Sequence, residues 1–320
     1  MEDKTELLVR VSELYYEQGL SQNEVAKILG TSRPSVSRLL DEARENGIVE
    51  IIVHNPIRQN PKMSFELRKT LDLREAIVVN GSYDYEKGLY RCCEAAAQFL
   101  YTIMDNNKTI GIDYGLAPRF LCDIIKPHKY YNVNVVQMIG CLGTGNPAVD
   151  GLEIALRISK KFGGTYSNIY APTYVKNKTV YSYLILEPQI KATLKKAMNT
   201  DIILTGIGSL DAGTTLQKAG YFTNQSRLNL IKKGAVGHLL ARPFDINGVE
   251  IPFEGSYVIG APLKAMKAAQ WSIGISAAEF KAPAVMAAIR GGYINTLVTD
   301  EKLACKLLEL AKNLKQSDNA

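Results

Sequence analysis

The sequence predicts an α/β protein in two parts, a short all-α N-terminal domain and a larger α/β domain on a largely parallel sheet. Three observations carry this. Residues 1–47 show apolar positions at helical spacing, punctuated by glycine and helix caps. A segment with two prolines and no periodicity follows at 55–61. From residue 62 on, short apolar strands bounded by glycine alternate with helices. With 320 residues, 46% hydrophobic and 22% charged, the chain can bury a sizeable core and is neither collagen-like nor disordered.

In the N-terminal part, Leu7, Leu8, Val11, Leu14 and Tyr15 form a helical stripe closed by Gly19. Ser21 followed by Glu24 is a capping box, and the helix it opens carries Val25, Ala26, Ile28 and Leu29 as far as Gly30. A third helix starts after Thr31-Ser32, with Pro34 in its first turn, where a missing N–H costs nothing. It turns Val36, Leu39, Leu40 and Ala43 inward and stops at Asn46-Gly47, and a short strand is expected at 48–53. The domains read as 1–55, a linker at 56–61, and 62–320.

In the larger part, strands are expected at 76–79, 108–113, 133–139, 165–170, 201–206, 235–240, 257–260, 272–276 and 294–298. Helices are expected at about 85–104, 150–162, 188–199, 223–233, 281–290 and 300–312. The arrangement is Rossmann-like, and ligands of such sheets bind at the carboxyl ends of the strands. Four strand ends fit: Gly111-Ile112-Asp113-Tyr114-Gly115, Gly140-Cys141-Leu142-Gly143-Thr144-Gly145, Gly206-Ile207-Gly208-Ser209, and Ile275-Ser276-Ala277-Ala278 before Lys281. Glycine lets backbone N–H groups approach an anion, and Lys281 brings an ammonium. None matches a P-loop or G-x-G-x-x-G, so neither a nucleoside triphosphate nor a dinucleotide is expected.

Catalytic and metal signals are thin. Asp113, Asp150, Glu153 and Asp211 lie near the expected site, but their spacing does not pair them. There is no G-x-S-x-G elbow, and Val135 to Gly140 contains no Schiff-base lysine. Five cysteines and three histidines (His54, His128, His238) occur without C-x-x-C or H-x-x-x-H spacing, so no metal, cofactor or disulfide framework is expected. No apolar run is long enough to span a bilayer, and Met1-Glu2-Asp3-Lys4 lacks the order of a secretory signal, which points to a cytoplasmic chain without a membrane partner.

Charge needs to be read locally. The chain carries +6, yet residues 1–56 hold six basic and ten acidic residues, so the excess lies elsewhere. Within residues 25–40, however, Lys27, Arg33 and Arg38 stand without any carboxylate. Two helices joined by Gly30-Thr31-Ser32, with a supporting helix before them, match a helix-turn-helix. The start of the third helix exposes Ser32, Arg33, Ser35, Ser37 and Arg38, and Gln22 and Thr31 flank it. Hydroxyls reach phosphates or base edges and arginine forks onto guanine, so these seven residues are the candidate contacts to a double-stranded DNA operator.

The order of motifs resembles the SorC family of bacterial sugar-responsive transcriptional regulators across almost the full chain. The matching stretches are Leu14 to Gln22, Ser32-Arg33-Pro34-Ser35-Val36-Ser37-Arg38-Leu39-Leu40, Asp201 to Gly208, Gly220-Tyr221, Gly234 to His238, Phe244 to Gly248, and Arg290 to Asp300. The resemblance implies an effector domain similar to sugar-phosphate isomerases and deaminases without their activity. It also implies a sugar or sugar-phosphate effector and a homo-oligomer, dimer or tetramer. It maps phosphate contacts onto Tyr114, Gly115, Leu116, Ala117 and Pro118 and onto Lys281, and the sugar end near Gln137, Gly140, Glu153, Gly208 and Asp245. Asp113 completes the candidate effector set.

Two departures stand out. Leu116-Ala117-Pro118 replaces a loop in which family members carry hydroxyls, and Pro118 removes one N–H. The loop from Ser276 to Lys281 lacks both glycines of the family's G-G-x-x-K pattern and is one residue longer. The expected function is a ligand-controlled regulator of a carbohydrate-utilisation operon. The alternatives are a sugar-phosphate isomerase or deaminase with an accessory helical domain, and a metabolite sensor whose helical domain binds protein.

Overall fold

In the computed structural model the chain forms two compact units, residues 1–56 and 57–320. The structure describes residues 4–49, 57–127, 129–143, 145–146, 149–210, 215–221, 223–253 and 255–317. Most of the strand expected at 48–53, together with His54, His128, Thr144 and Asp211, therefore lies outside the described residues.

The smaller unit is helical. Helix α1 (Lys4–Ser12) continues into a π-helical turn at Glu13–Glu17, and α2 (Gln22–Ile28) and α3 (Arg33–Glu45) follow. The capping box forms as its sequence demands: Ser21 N–H donates to Glu24 Oε2 at 2.8 Å, and Glu24 N–H donates back to Ser21 Oγ at 3.4 Å. Val11, Leu14, Val25, Ala26, Val36 and Leu40 make the core, each large side chain contributing about 1.5–3 kcal/mol by leaving water. Gly47, at φ +71°, ends α3.

The larger unit alternates strand and helix. It runs α4 (Pro61–Thr70), β1 (Glu75–Val79), α5 (Tyr85–Ile103), β2 (Thr109–Ile112), α6 (Leu116–Ile124), β3 (Asn134–Gln137), α7 (Gly151–Lys161), β4 (Thr165–Ser167), β5 (Tyr174–Val175), α8 (Lys178–Leu184), α9 (Pro188–Ala197) and β6 (Ile202–Gly206). The second half is β7 (Gly208–Ser209), α10 (Thr215–Lys218), α11 (Asn224–Lys232), β8 (Ala235–Leu239), β9 (Arg242–Asp245), β10 (Tyr257–Val258), α12 (Lys264–Ala268), β11 (Trp271–Ser276), α13 (Ala282–Arg290), β12 (Thr296–Asp300) and α14 (Glu301–Ser317). A short 3-10 turn, Glu279–Lys281, precedes α13.

Seven of these strands form a parallel sheet in the order β1-β12-β11-β6-β2-β3-β4. Successive strand residues enter opposite cores, as strand geometry requires. Ile203, Val136 and Leu297 face the layer of α4, α13 and α14, whereas Ile202, Leu204, Val135 and Val298 face α5, α6 and α7. The strands expected within this sheet are all present: β2, β3, β4 and β6 are shorter than expected, β1 and β11 begin one residue earlier, and β12 runs from 296 to 300 rather than 294 to 298. Those at 235–240 and 257–260 instead join small antiparallel sheets, β7-β8-β9 and β10-β5.

Two segments differ from the sequence expectation. Residues 57–61, read as linker, belong to the larger unit: Arg58 N–H donates to Asn80 Oδ1, Asn60 N–H to Val78 O, and Asn60 Oδ1 caps α4 through Met63 N–H at 3.1 Å. Pro61, the last residue of the expected linker, is the first residue of that helix. Likewise Leu116-Ala117-Pro118 is no loop but the first turn of α6, where proline is tolerated.

The strand order sets the site. From β2 the chain steps to β3 and β4 on one side, then returns past β2 and proceeds through β6, β11 and β12 on the other. The order reverses between β2 and β6, and the connections leaving their carboxyl ends diverge, opening the crevice in which such sheets hold ligands.

Candidate effector site and DNA-reading face

At the crevice, Asp113 follows β2 and is buried. Tyr114 N–H donates to its Oδ1 at 2.8 Å, and Thr205 Oγ1, from the end of β6, donates to its Oδ2 at 3.0 Å. Burial pushes its pKa up to about 7, against the pull of hydrogen bonds from Tyr114, Thr205 and the Leu240 backbone. The carboxyl therefore pins together both strand ends and the tip of the β8–β9 hairpin. That tip is a buried tight turn in which Leu240 and Ala241 take φ of 47° and 58°, values ordinarily left to Asn and Gly. Ala241 O accepts the Tyr174 hydroxyl. Non-glycine residues held at positive φ store strain, which the surrounding contacts must overcome.

Gly115, at φ +105°, then caps α6. Ala117 lies beside Gly206, where an added Cβ would stand 3.4 Å from the alanine methyl. Leu116 is half-buried at the mouth. Gln137 ends β3 in register with Ile112. It accepts Ile169 N–H at 2.8 Å, while its amide nitrogen finds no hydrogen-bond partner. Tyr114 is also buried with its hydroxyl unpartnered. Asp113, Tyr114, Gly115, Leu116, Ala117 and Gln137 are thus brought together around one strand-end rim.

Gly206 leads directly into Gly208 and Ser209, which meet Lys281. The Lys281 side chain is buried after β11, and its Nζ donates to Ser209 Oγ at 2.9 Å. Phe280 and Tyr85 stand by that ammonium, at 5.3 and 5.9 Å from ring centre to nitrogen. Gly208 pairs with His238, and a Cβ there would lie 2.1 Å from the imidazole, so glycine is required by the close approach. Burial and the Lys281 charge pull the His238 pKa down to about 3, leaving the ring neutral. Sequence reasoning missed Thr205 and His238 as parts of this site. A strand-end threonine carries no signal of where its hydroxyl points, and a single histidine without metal-ligand spacing reads as core.

Three candidates stand elsewhere. Gly140 has its N–H on Ile259 O and its C=O on Thr173 Oγ1, and a Cβ would lie 2.5 Å from Ala171 O, so its glycine serves packing rather than an open anion cradle. Asp245 caps its own turn, accepting Asn247 and Val249 N–H at 2.9 and 2.8 Å. That turn sits against the C-terminal end of α13, where Arg290 Nη1 donates to Ile246 O and a Cβ on Gly248 would meet Gly291. The site begins at the opposite end of that helix. Glu153 lies in the first turn of α7 toward the edge strand β4. Neither Asp245 nor Glu153 joins the residues at the β2/β6 crevice.

In the helical unit, Ser32 caps α3 by accepting Ser35 N–H at 3.3 Å. Thr31, Ser32, Arg33 and Arg38 are exposed, and Gln22, Ser35 and Ser37 half-buried. With Val36, Leu40 and Ala43 buried, Arg38 projects from the opposite side of the helix. The acids farther along α3 are partly neutralised within the unit: Glu42 pairs with Lys4 at 2.5 Å, and Asp41 with Arg44. The free N-terminal turn of α3 therefore presents the positive, hydroxyl-rich surface that a phosphate backbone attracts.

Comparison with known proteins agrees with both halves. A family of winged helix-turn-helix DNA-binding domains matches residues 11–50, and the family described as "Putative sugar-binding domain" matches residues 55–309. The chain is 29% identical over 314 residues to the transcriptional regulator LsrR of Escherichia coli K12, covering 95% of this chain and 94% of that one. It is 25% identical over 308 residues to the deoxyribonucleoside regulator of Bacillus subtilis, covering 96% and 98%. The crystal structure of the full-length sorbitol operon regulator SorC from Klebsiella pneumoniae matches with a TM-score of 0.72 at 26% identity, over 95% of this chain and 98% of that one. With a DNA-reading helix in one unit and a sugar-binding domain in the other, the chain is a transcriptional regulator and not an enzyme, and it belongs to the SorC family of sugar-binding-domain, helix-turn-helix regulators.

Proposed function

We propose that this regulator binds a sugar or sugar phosphate at the β2/β6 crevice and that the bound effector changes its hold on a carbohydrate-utilisation operator. The observation that carries the reading is the convergence, on that crevice, of the Asp113–Thr205 bridge, the α6 N-terminus, the Gly206–Ser209 turn and the Lys281 ammonium. The names of the relatives, a sorbitol operon regulator and a deoxyribonucleoside regulator, support a carbohydrate effector. An ammonium beside hydroxyls and backbone donors favours an anionic substituent. The first turn of α6 offers no hydroxyl, so the phosphate would be held by fewer donors than in relatives that carry Ser or Thr there.

On the DNA side, Gln22, Thr31, Ser32, Arg33, Ser35, Ser37 and Arg38 would contact the operator. Two copies related by a two-fold axis would read half-sites one or more helical turns apart, which makes a dimer or tetramer in the cytoplasm the working assembly. An effector acts on such an assembly only through tighter binding to one arrangement of its subunits, tenfold discrimination corresponding to about 1.4 kcal/mol.

The test is a thermal-shift series with pentoses, hexoses and their phosphates on the full chain, followed by gel shift of operator DNA with each ligand that stabilises. A ligand at 100 times its dissociation constant adds about 2.7 kcal/mol. The reading requires that a stabilising sugar also alter operator retention and remain unconverted. Turnover of a sugar phosphate, or stabilisation with no effect on DNA, would refute it.

A further inference from the structure

A second cavity, of about 410 Å³, opens between α7 and the edge strand β4. Strand β3 stands between it and the β2/β6 crevice, and two inter-strand spacings put β4 about 10 Å from β2. The volume is in the range of small-molecule sites, about 300–1,000 Å³.

The chemistry of its wall is one-sided. Asp150 and Glu153 contribute carboxylates, and among the described residues that line it none is Lys, Arg or His. Asn168, also on the wall, is only 7% exposed: one end of its amide donates to Leu152 O at 3.4 Å, and Oδ1 has no partner. Tyr166 and Tyr170 expose rings at the rim, Tyr170 by 65%, and such faces accept the apolar C–H side of a sugar ring. The wall therefore offers acceptors and aromatic faces and repels anions.

We propose that this cavity is a second carbohydrate site, taking a neutral polyhydroxylated ligand such as an unphosphorylated sugar or alditol. Its hydroxyls would donate to Glu153 and Asp150 while its carbon face lies on Tyr170. Phosphorylated sugars are turned away by the two carboxylates and left to the Lys281 crevice. The regulator would then sense an unphosphorylated sugar and its phosphorylated form at separate places.

The experiment is isothermal titration of the full-length chain with glucose, sorbitol and ribose, and with glucose 6-phosphate as the anionic arm, on wild type and on Glu153→Gln, Tyr170→Ala and Lys281→Met. The expected result is a neutral probe that saturates wild type at or below about 1 mM. It should bind Glu153→Gln and Tyr170→Ala at least about tenfold more weakly and Lys281→Met unchanged. Circular dichroism melts show whether each variant is folded, and both cavity residues are surface-accessible, so a folded variant is available to read. The proposal is overturned if no neutral probe binds, if both cavity variants bind it as wild type does, or if glucose 6-phosphate competes for it in Lys281→Met. Failure of the crevice reading would show separately, as Lys281→Met leaving every sugar-phosphate response intact.

Discussion

Raising the pH from 5 to 8 should weaken the larger unit through a single carboxyl. Asp113 is buried at the crevice with a pKa of about 7, against 3.8 for the ordinary group. Between these values the folded chain keeps a proton that the unfolded chain has released. Stability therefore falls as pH rises through this window and levels off above the folded pKa. Each pH unit corresponds to about 1.4 kcal/mol, so the two units from pH 5 to 7 amount to about 3 kcal/mol. Asp113→Asn has no proton to lose and should lack this slope. Urea unfolding of wild type and variant at pH 5, 6, 7 and 8 reads the difference between them, in which contributions from all other groups cancel. At pH 5 the carboxyl is protonated in the fold, and by pH 8 the wild type should have lost about 3 kcal/mol relative to the variant. A difference that stays constant from pH 5 to 8, or that moves in favour of the wild type, would show that the Asp113 bridge is ionised throughout and refute the argument.

Other outcomes follow from the same geometry. His238, with its pKa drawn down to about 3 from 6.5, binds a proton more readily unfolded, so in an Asp113→Asn background stability should fall as pH drops below 6.5, by up to about 3 kcal/mol at pH 4.5; His238→Gln should flatten the acid limb in urea titrations. Arg38→Ala should weaken operator binding by about 1–3 kcal/mol in gel shift while leaving effector-induced thermal stabilisation unchanged, and equal loss of both would contradict the division of labour. Leu40→Ala removes a side chain that is 2% exposed in the small helical core, a loss of about 2–5 kcal/mol. Operator binding should disappear in this variant while calorimetric titration of the larger unit's effector is unaffected.

How much of this was legible in the sequence depended on whether local chemistry decided the structure. Helices announced by caps, such as α2 behind Ser21 and Glu24 or α3 behind Ser32 and Pro34, were readable because the signal lies within four residues. Helix α4 was hidden because Pro61 marks both a break and a first turn, and only the Asn60 cap separates the two. The β8–β9 hairpin was invisible as a hairpin. Leu240-Ala241 has none of the residues that favour positive φ, and tertiary contacts at Asp113 and Tyr174 impose the turn. For the proposed site, the glycine-bearing strand ends directed attention to the carboxyl edge of the sheet. Sequence could not say that Gly140 is consumed by packing, which depends on Ala171, Thr173 and Ile259 far along the chain, whereas Asp245 is taken up locally by the Asn247 and Val249 N–H groups of its own turn.

The pairing of β1 with β12 joins residues 75–79 to 296–300, so the first strand of the sheet has its neighbour only when the chain is almost finished. At about 5–20 residues per second, synthesis of the intervening segment takes on the order of ten seconds or more. Throughout that interval the helical unit, whose contacts are all short in sequence, has everything it needs to fold. Each newly made molecule thus passes through a period in which its reading head is shaped while its sensor is unfinished, and the nascent regulator is deaf to sugar until its last strand slides into place.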